Sequence, residues 1–579
     1  MGESERTVLG GEIIAEMLAK EGVKVVFGIV DGTYLGLYAS FAKYGIRLVS
    51  PRHETTAAHM AGAYARLTGE LGVCMASNGP GVANLLPGIA VENGEGNRVL
   101  VITSCRRQGI AYPDRGGTYQ YFDQAGVTRA MTKWSGVAGS VERIPEALRR
   151  ALRVSHRGRP GVVHLDVPEN VLNGASPLPK GAIAEPAEYR RTEPIEPPAA
   201  QLARAAELLR AAERPLIHAG SGVVHARAFE ALRRVAELLE APVSTSWGAR
   251  GALPETHPLA LPLSALAAVD EARRQADLVL VVGSRLGETD FWGKAPYWAR
   301  PGEQRVIQVD ADEELLGLNR RAELAIHADA GAFLRALAPA LAKRARGGWR
   351  DRIDALIVEA ERELAPALAN EAEPMATALV PHTLRRLLPD DAVLVVDGGN
   401  TAVWAQFYFA QRAPGCLLST FKLGMLGAGP GQALGAQLAR PGAPVVCLLG
   451  DGAMGFHLQE VETAVRHALP VKFVVVADRQ WGMVKLTQQV GLAAARETLG
   501  VADEGTINAD LGEIRFDDVA RAMGAHGARV AKPGELEGTL RAALEHPGPA
   551  VVQVDVDPML HLWAPGLMTF KAMHQEPEG

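Results

Sequence analysis

The stretch APVVCLLGDGAMGFHLQEVETAVRHALPVKFVVVAD, residues 443–478, decides the fold. An apolar run over 445–449 stops at Gly450-Asp451-Gly452. Val461, Ala464, Val465 and Ala468 then recur at helical spacing, and a β-branched run, Val474, Val475 and Val476, breaks off at Ala477-Asp478-Arg479. Continuous apolar runs bounded by turns read as strands covered on both faces, joined here by an amphipathic crossover helix. Strand–helix–strand is the unit of a parallel, doubly wound sheet. Ligands of such sheets lie beyond the carboxyl ends of the strands, where Asp451 and Asp478 both fall.

The same alternation runs through the chain. VKVVFGI, LGVCMAS, RVLVITS and GVVHLDV read as strands of a first block, PLIHAG, DLVLVVG and RVIQVD as strands of a second, and AVLVVDGG, APVVCLLGDG, VKFVVVAD and AVVQVDVD as strands of a third. Residues 174–200 carry six prolines and read as a linker, and the charged, Ala-rich residues 342–374 read as a solvated helix leading to a new start near Pro381. The expectation is three α/β domains over 1–180, 195–345 and 375–556, followed by a tail, 557–579, packed on the domain surface. GPGVANLLPGIA (79–90) and GPGQALGAQLA (429–439) hint at a repeat between the first and third blocks.

The bulk numbers narrow the class. A hydrophobic content of 47% with 22% charged residues suits a soluble protein with large cores. A net charge of −6 without a long basic run argues against nucleic-acid binding. Cys74, Cys105, Cys416 and Cys447 are scattered in apolar runs, which reads as buried thiols in a reducing compartment rather than a disulfide framework. No stretch reaches the roughly 18 apolar residues of a membrane span, and the N-terminus lacks an apolar leader core, so a cytoplasmic protein is expected.

Glycines flanking Asp451 let the backbone turn tightly and approach a ligand, and the first amides of the following helix favour a phosphate. Taken alone, the motif reads equally as a turn with Asp451 as helix cap. Asp478 lies 27 residues further on, at the end of the next strand, so the two carboxylates meet at adjacent strand ends. A hard cation between them and a phosphate accounts for the pair, with a loop carbonyl near Gln480 as a further oxygen.

The GDG turn followed by polar residues after the next apolar strand resembles the cofactor motif of the thiamine diphosphate-dependent superfamily of 2-oxo acid decarboxylases and acetolactate synthases. That motif usually ends Asn-Asn; here it ends Ala477-Asp478. The resemblance implies Mg²⁺ held by Asp451, Asp478 and the carbonyl of Gln480. It implies a cofactor cradle of Gly399, Asn400, Thr401, Gly424, Leu426, Gly450, Asp451, Gly452, Ala453, Met454, Asp478, Gln480, Trp481, Gly482 and Met483. SPRHETTAAHMAGAYARLTG (50–69) is similar to the family's segment bearing the glutamate that hydrogen-bonds the aminopyrimidine ring, which maps onto Glu54. TYQYFDQAGVTRAMTKWS (118–135) is similar to the loop carrying the family's glutamine, Gln120, preceded by Tyr119. Gly32 joins these as a catalytic position. Leu426, in KLGMLGAGPGQALGAQ (422–437), stands where a bulky residue holds the cofactor bent.

The resemblance orders the three blocks as pyrimidine-binding, middle and diphosphate-binding domains. It implies a homodimer or homotetramer with the cofactor at the subunit interface, and a small 2-oxo acid or acyl-CoA substrate. The likeness to acetolactate synthase ranks first. Tyr119, Thr487 (where that synthase has Trp) and GSRLGETDFWGK (283–294) depart from it. A 2-hydroxyacyl-CoA lyase or oxalyl-CoA decarboxylase is the alternative, and a non-catalytic scaffold a minor one. The middle domain is expected to hold FAD, or ADP or the CoA nucleotide. His53, His59 and His457 read as structural, and Arg479 as offsetting the charge of the carboxylate pair.

Overall fold

The computed structural model describes residues 6–179, 181–345, 348–502 and 504–575. The chain forms two compact units. One comprises 1–194 with 430–441, the other 195–429 with 442–579.

In the first unit the strands are β1 (Arg6–Leu9), β2 (Val25–Gly28), β3 (Arg47–Val49), β4 (Gly72–Ala76), β5 (Val99–Cys105), β6 (Trp134–Val137), β7 (Val162–Pro168) and β8 (Ala175–Leu178). Six of them make a parallel sheet in the order β3-β2-β4-β5-β7-β6, while β1 and β8 pair antiparallel. The Pro-rich segment 174–200 is thus not all linker, since β8 falls inside it.

The second unit holds two more parallel sheets. One runs β10 (Val243–Thr245), β9 (Pro215–Ala219), β11 (Leu278–Val282), β12 (Arg305–Asp310), β13 (Leu324–His327). The other runs β15 (Leu417–Leu418), β14 (Val393–Asp397), β16 (Val445–Gly450), β17 (Lys472–Ala477), β19 (Ala550–Asp555), β18 (His526–Val530). The α/β class with three doubly wound parallel sheets is therefore as the sequence predicts.

The central strands are apolar because helices cover both of their faces, so every residue of β5, β7, β11, β14 and β17 is buried. The register of β16 on β17 sets Gly450 beside Val476, which brings Asp451 and Asp478 out at neighbouring strand ends. The crossover is two short helices, Asp451–His457 and Glu460–Arg466. Ala468 falls beyond them, exposed and at φ 53°, so it does not extend the buried face of Val461 and Ala464. The expected helix in 342–374 spans Asp351–Leu364 and buries Ile353 and Leu356 against the middle sheet's core. All four cysteines are buried and free. No helix among the described residues is long and apolar enough to cross a membrane.

Candidate active site

In the second unit, the loops beyond β14, β15, β16 and β17 converge on one cavity of about 550 Å³. Its wall includes Gly399, Asn400, Thr401, Gly424, Leu426, Gly450, Asp451, Gly452, Ala453, Asp478, Gln480, Trp481, Gly482 and Met483. Of the predicted cradle only Met454 is outside this wall; it is fully buried. The glycines are there for contact. A Cβ on Gly452 would lie 2.6 Å from the Trp481 ring, and one on Gly482 would lie 2.8 Å from the Asn400 amide nitrogen.

Asp451 is fixed by backbone amides: Gly452 N–H donates to Oδ1 at 2.7 Å and Arg479 N–H to Oδ2 at 2.8 Å. Asp478 Oδ2 is buried and accepts no hydrogen bond among the described residues. Its nearest basic neighbour, His561 Nε2, is 3.7 Å away. Burial pushes that imidazole down to about 3, so it is neutral. Burial, then the Asp451 charge, push the Asp478 carboxyl up to about 8. Two buried carboxyls with no cation beside them suit a divalent ion. Among the described residues no cluster of three or more His, Cys, Asp or Glu forms a metal site by itself. Asp451 and Asp478 would give two carboxylate oxygens to a hard divalent ion, the remaining oxygens coming from a diphosphate. Asn400 Oδ1, also buried and unpartnered, fits the same polar cradle.

One expectation is corrected here. The Arg479 guanidinium does not offset the pair; it reaches Glu513 at 3.3 Å, and only its backbone N–H serves Asp451, from a backbone at φ 57°.

In the first unit, the predicted residues gather at the carboxyl edge of the sheet. Glu54 opens the helix Glu54–Thr68 and accepts from Asn84 Nδ2 at 3.1 Å. Gln120 sits in the loop after β5 at φ 55°, and its carbonyl accepts from Asn78 Nδ2 at 3.2 Å. Gly79, at φ 66°, packs on the Gln120 backbone, where a Cβ would come within 2.7 Å. The first turn of the helix Pro80–Glu95 therefore stands between Glu54 and Gln120. Tyr119 is 76% exposed, and Gly32 lies in an exposed turn after β2. Gln124, not singled out by sequence reasoning, braces this edge: Gly79 N–H donates to its Oε1 at 2.8 Å and its Nε2 donates to Asp166 at 3.0 Å.

The chain matches the thiamine pyrophosphate enzyme N-terminal TPP binding domain over residues 9–127, the central domain over 202–337 and the C-terminal TPP binding domain over 397–554. The chain belongs to the thiamine pyrophosphate enzyme family. It is 30% identical to a probable acetolactate synthase large subunit of Methanocaldococcus jannaschii, over 95% of this chain and 92% of that one. It is 28% identical to the isozyme 1 large subunit of Escherichia coli acetolactate synthase, over 95% and 94%. It is 30% identical to the acetolactate synthase large subunit of Parasynechococcus marenigrum, over 95% and 88%. This thiamine pyrophosphate enzyme thus has relatives along almost its full length.

In the middle sheet of this family member the glycines after the first strand pack against the turn that follows β11. At its switch point the amides of Gly220 and Gly222 already donate to the carbonyls of Val282 and Gly283, at 2.9 and 3.0 Å. A Cβ on Gly220 would lie 2.2 Å from the Gly283 carbonyl oxygen, so these glycines serve chain-to-chain packing. Asp290 of the GSRLGETDFWGK segment is likewise turned inward, onto Arg273 at 3.4 Å and His218 at 3.4 Å.

His53, His59 and His457 have structural partners: the Thr55 amide, Glu92 and the Gly427 carbonyl. His561 lines the cavity and had no signal in the sequence beyond its place in the tail. The tail does not pack outside. Gly566, Thr569, Phe570, Met573 and His574 all line the cavity.

Proposed function

We infer that this enzyme is a thiamine diphosphate- and Mg²⁺-dependent carboligase of the acetolactate synthase type, acting on 2-oxo acids. The observation that carries this reading is the unpartnered Asp478 Oδ2 beside Asp451, in one cavity with the Gly399–Thr401 turn. Asp451, Asp478 and the Gln480 carbonyl would hold Mg²⁺, and the glycine turns at 399 and 450–452 would accept the diphosphate. Bound there, thiamine diphosphate supplies a nucleophilic carbon and an electron sink for loss of CO₂ from a 2-oxo acid. Leu426, on the cavity wall, would brace the bound cofactor, which preorganises rather than adds chemistry. The Glu54 carboxyl would hold the aminopyrimidine ring of the bound cofactor, and the Gln120 loop, braced by Gly79 and Asn78, would position the substrate. The names of the full-length relatives support the 2-oxo acid. We take the functional particle to be a homodimer or a pair of them, with Glu54 of one subunit serving the Asp451 site of another.

A side-by-side assay of the Mg²⁺- and cofactor-loaded protein on pyruvate, other 2-oxo acids and oxalyl-CoA or a 2-hydroxyacyl-CoA tests the reading. CO₂ release and 2-hydroxy-3-oxo acid formation from 2-oxo acids are expected, with Glu54→Gln nearly inactive. Turnover of the CoA esters alone would overturn it.

A further inference from the structure

The cavity that holds the carboxylate pair does not end at the cradle. It continues between the middle sheet and the C-terminal tail, within the same unit. Trp247, Leu266, Val269, Phe407, Phe570 and Met573 form the apolar part of this arm's wall, beside Arg250, Asp270, Arg273 and Glu288. The tail helix Leu567–Ala572 and its flanks supply one face at positions 566, 569, 570, 573 and 574, the spacing of a helical stripe.

Three ties seat that helix. Phe570 stacks on Trp247 with centroids 5.6 Å apart and planes 12° apart. His574 Nδ1 is 3.1 Å from Glu288, and Lys571 Nζ donates to Thr487 Oγ1 at 2.8 Å. Gly566, at φ 67°, closes the approach, since a Cβ there would meet Phe407 at 2.5 Å and Leu266 at 2.8 Å. Thr487 itself is outside the cavity wall and anchors the tail instead.

Three charged groups of the arm have partners of opposite sign. Arg250 makes two 2.9 Å bonds to Glu255, Arg273 is 3.4 Å from Asp290, and Glu288 has His574. An apolar substituent finds a wall of aromatic and aliphatic side chains there.

Resting on the 2-oxo acid reading above, we propose that this arm receives an uncharged, bulky apolar substituent of one substrate, an aryl or branched alkyl group on the reacting carbonyl compound, with Phe570 as the residue that selects it. Methyl-sized substrates leave the arm unfilled.

The test is binding of 3-phenylpropionate against propionate to the cofactor-loaded protein, by calorimetry, in wild type, Phe570→Ala and Leu266→Ser. The two probes share a head group and differ only in the apolar body. Wild type is expected to prefer the phenyl probe by at least about tenfold, the order of what one or two methylenes contribute in a hydrophobic pocket. Both variants lose most of that preference at unchanged propionate affinity. Equal binding of the two probes by wild type overturns the proposal. So does a preference that survives in both variants, or FAD that displaces the phenyl probe, which assigns the arm to a flavin. Acceptor choice is then measured with pyruvate as donor and benzaldehyde or acetaldehyde as acceptor. Selective phenyl binding without CO₂ release from any 2-oxo acid would leave the arm standing and remove the carboligase reading. CO₂ release without phenyl selectivity does the reverse.

Discussion

At the scale of single residues, the protein turns on Asp478. A buried carboxyl pushed up to about 8 keeps its proton in the folded, metal-free protein at pH values where the unfolded chain has lost it. The folded state then binds more protons than the unfolded one. Stability without metal therefore falls as pH rises from about 4 towards about 8. Mg²⁺ must displace the same proton, so its affinity climbs over that range and levels off above it. Thermal melts in chelator and Mg²⁺ titrations across that range should show both slopes, and Asp478→Asn should flatten both; an unchanged Mg²⁺ titration in that variant would take Asp478 out of the metal shell. Gly452→Ala is the steric counterpart. Its Cβ would lie 2.6 Å from the Trp481 ring, and relieving such overlap costs about 1–3 kcal/mol. Thiamine diphosphate affinity should drop on the order of tenfold with little change in global fold, read by cofactor titration.

At the scale of elements, the sequence finds the middle of each sheet and misses its edges. The strands legible as apolar runs are β2, β4, β5, β7, β9, β11, β12, β14, β16, β17 and β19. Those not anticipated in the three parallel sheets are β3, β6, β10, β13, β15 and β18, the two edge strands of each sheet. The reasons are burial and length. An interior strand is covered on both faces and carries a long apolar run, whereas β3, β6, β13 and β18 carry half-buried or exposed residues, and β10 and β15, with three and two residues, are too short to show one. The paired glycine motifs at 79–90 and 429–439 also acquire a role at this scale. In the first unit Gly88 packs on Ala58, and Gly431 and Gly435 pack on His59 and Met60, so both motifs let a neighbour lie close to the helix Glu54–Thr68. A Cβ on Gly435 would sit 2.3 Å from the Met60 carbonyl oxygen. Gly435→Ala should cost about 1–3 kcal/mol, visible as a lowered melting temperature. Gly442→Ala, with nothing within 4 Å, should be near neutral.

At the scale of the whole molecule, cofactor and metal ought to act as structural ligands. A ligand that binds only the folded state stabilises it by about 2.7 kcal/mol at a concentration a hundredfold above its dissociation constant. Thiamine diphosphate with Mg²⁺ should raise the melting temperature, and either alone should raise it less; no shift at saturation would contradict a functional site. The sequence by itself determined the three parallel sheets, the buried cysteines and the placing of Asp451 and Asp478 at neighbouring strand ends. All of these follow from local periodicity and from the length of one crossover. Only the tertiary structure decided that the Arg479 side chain leaves the carboxylates, that the glycines at 220 and 222 close on β11, and that the tail lines the cavity through Phe570 and Met573. Those outcomes depend on partners far apart in the chain, Trp247 and Phe570 or Glu288 and His574, whose meeting no local pattern encodes.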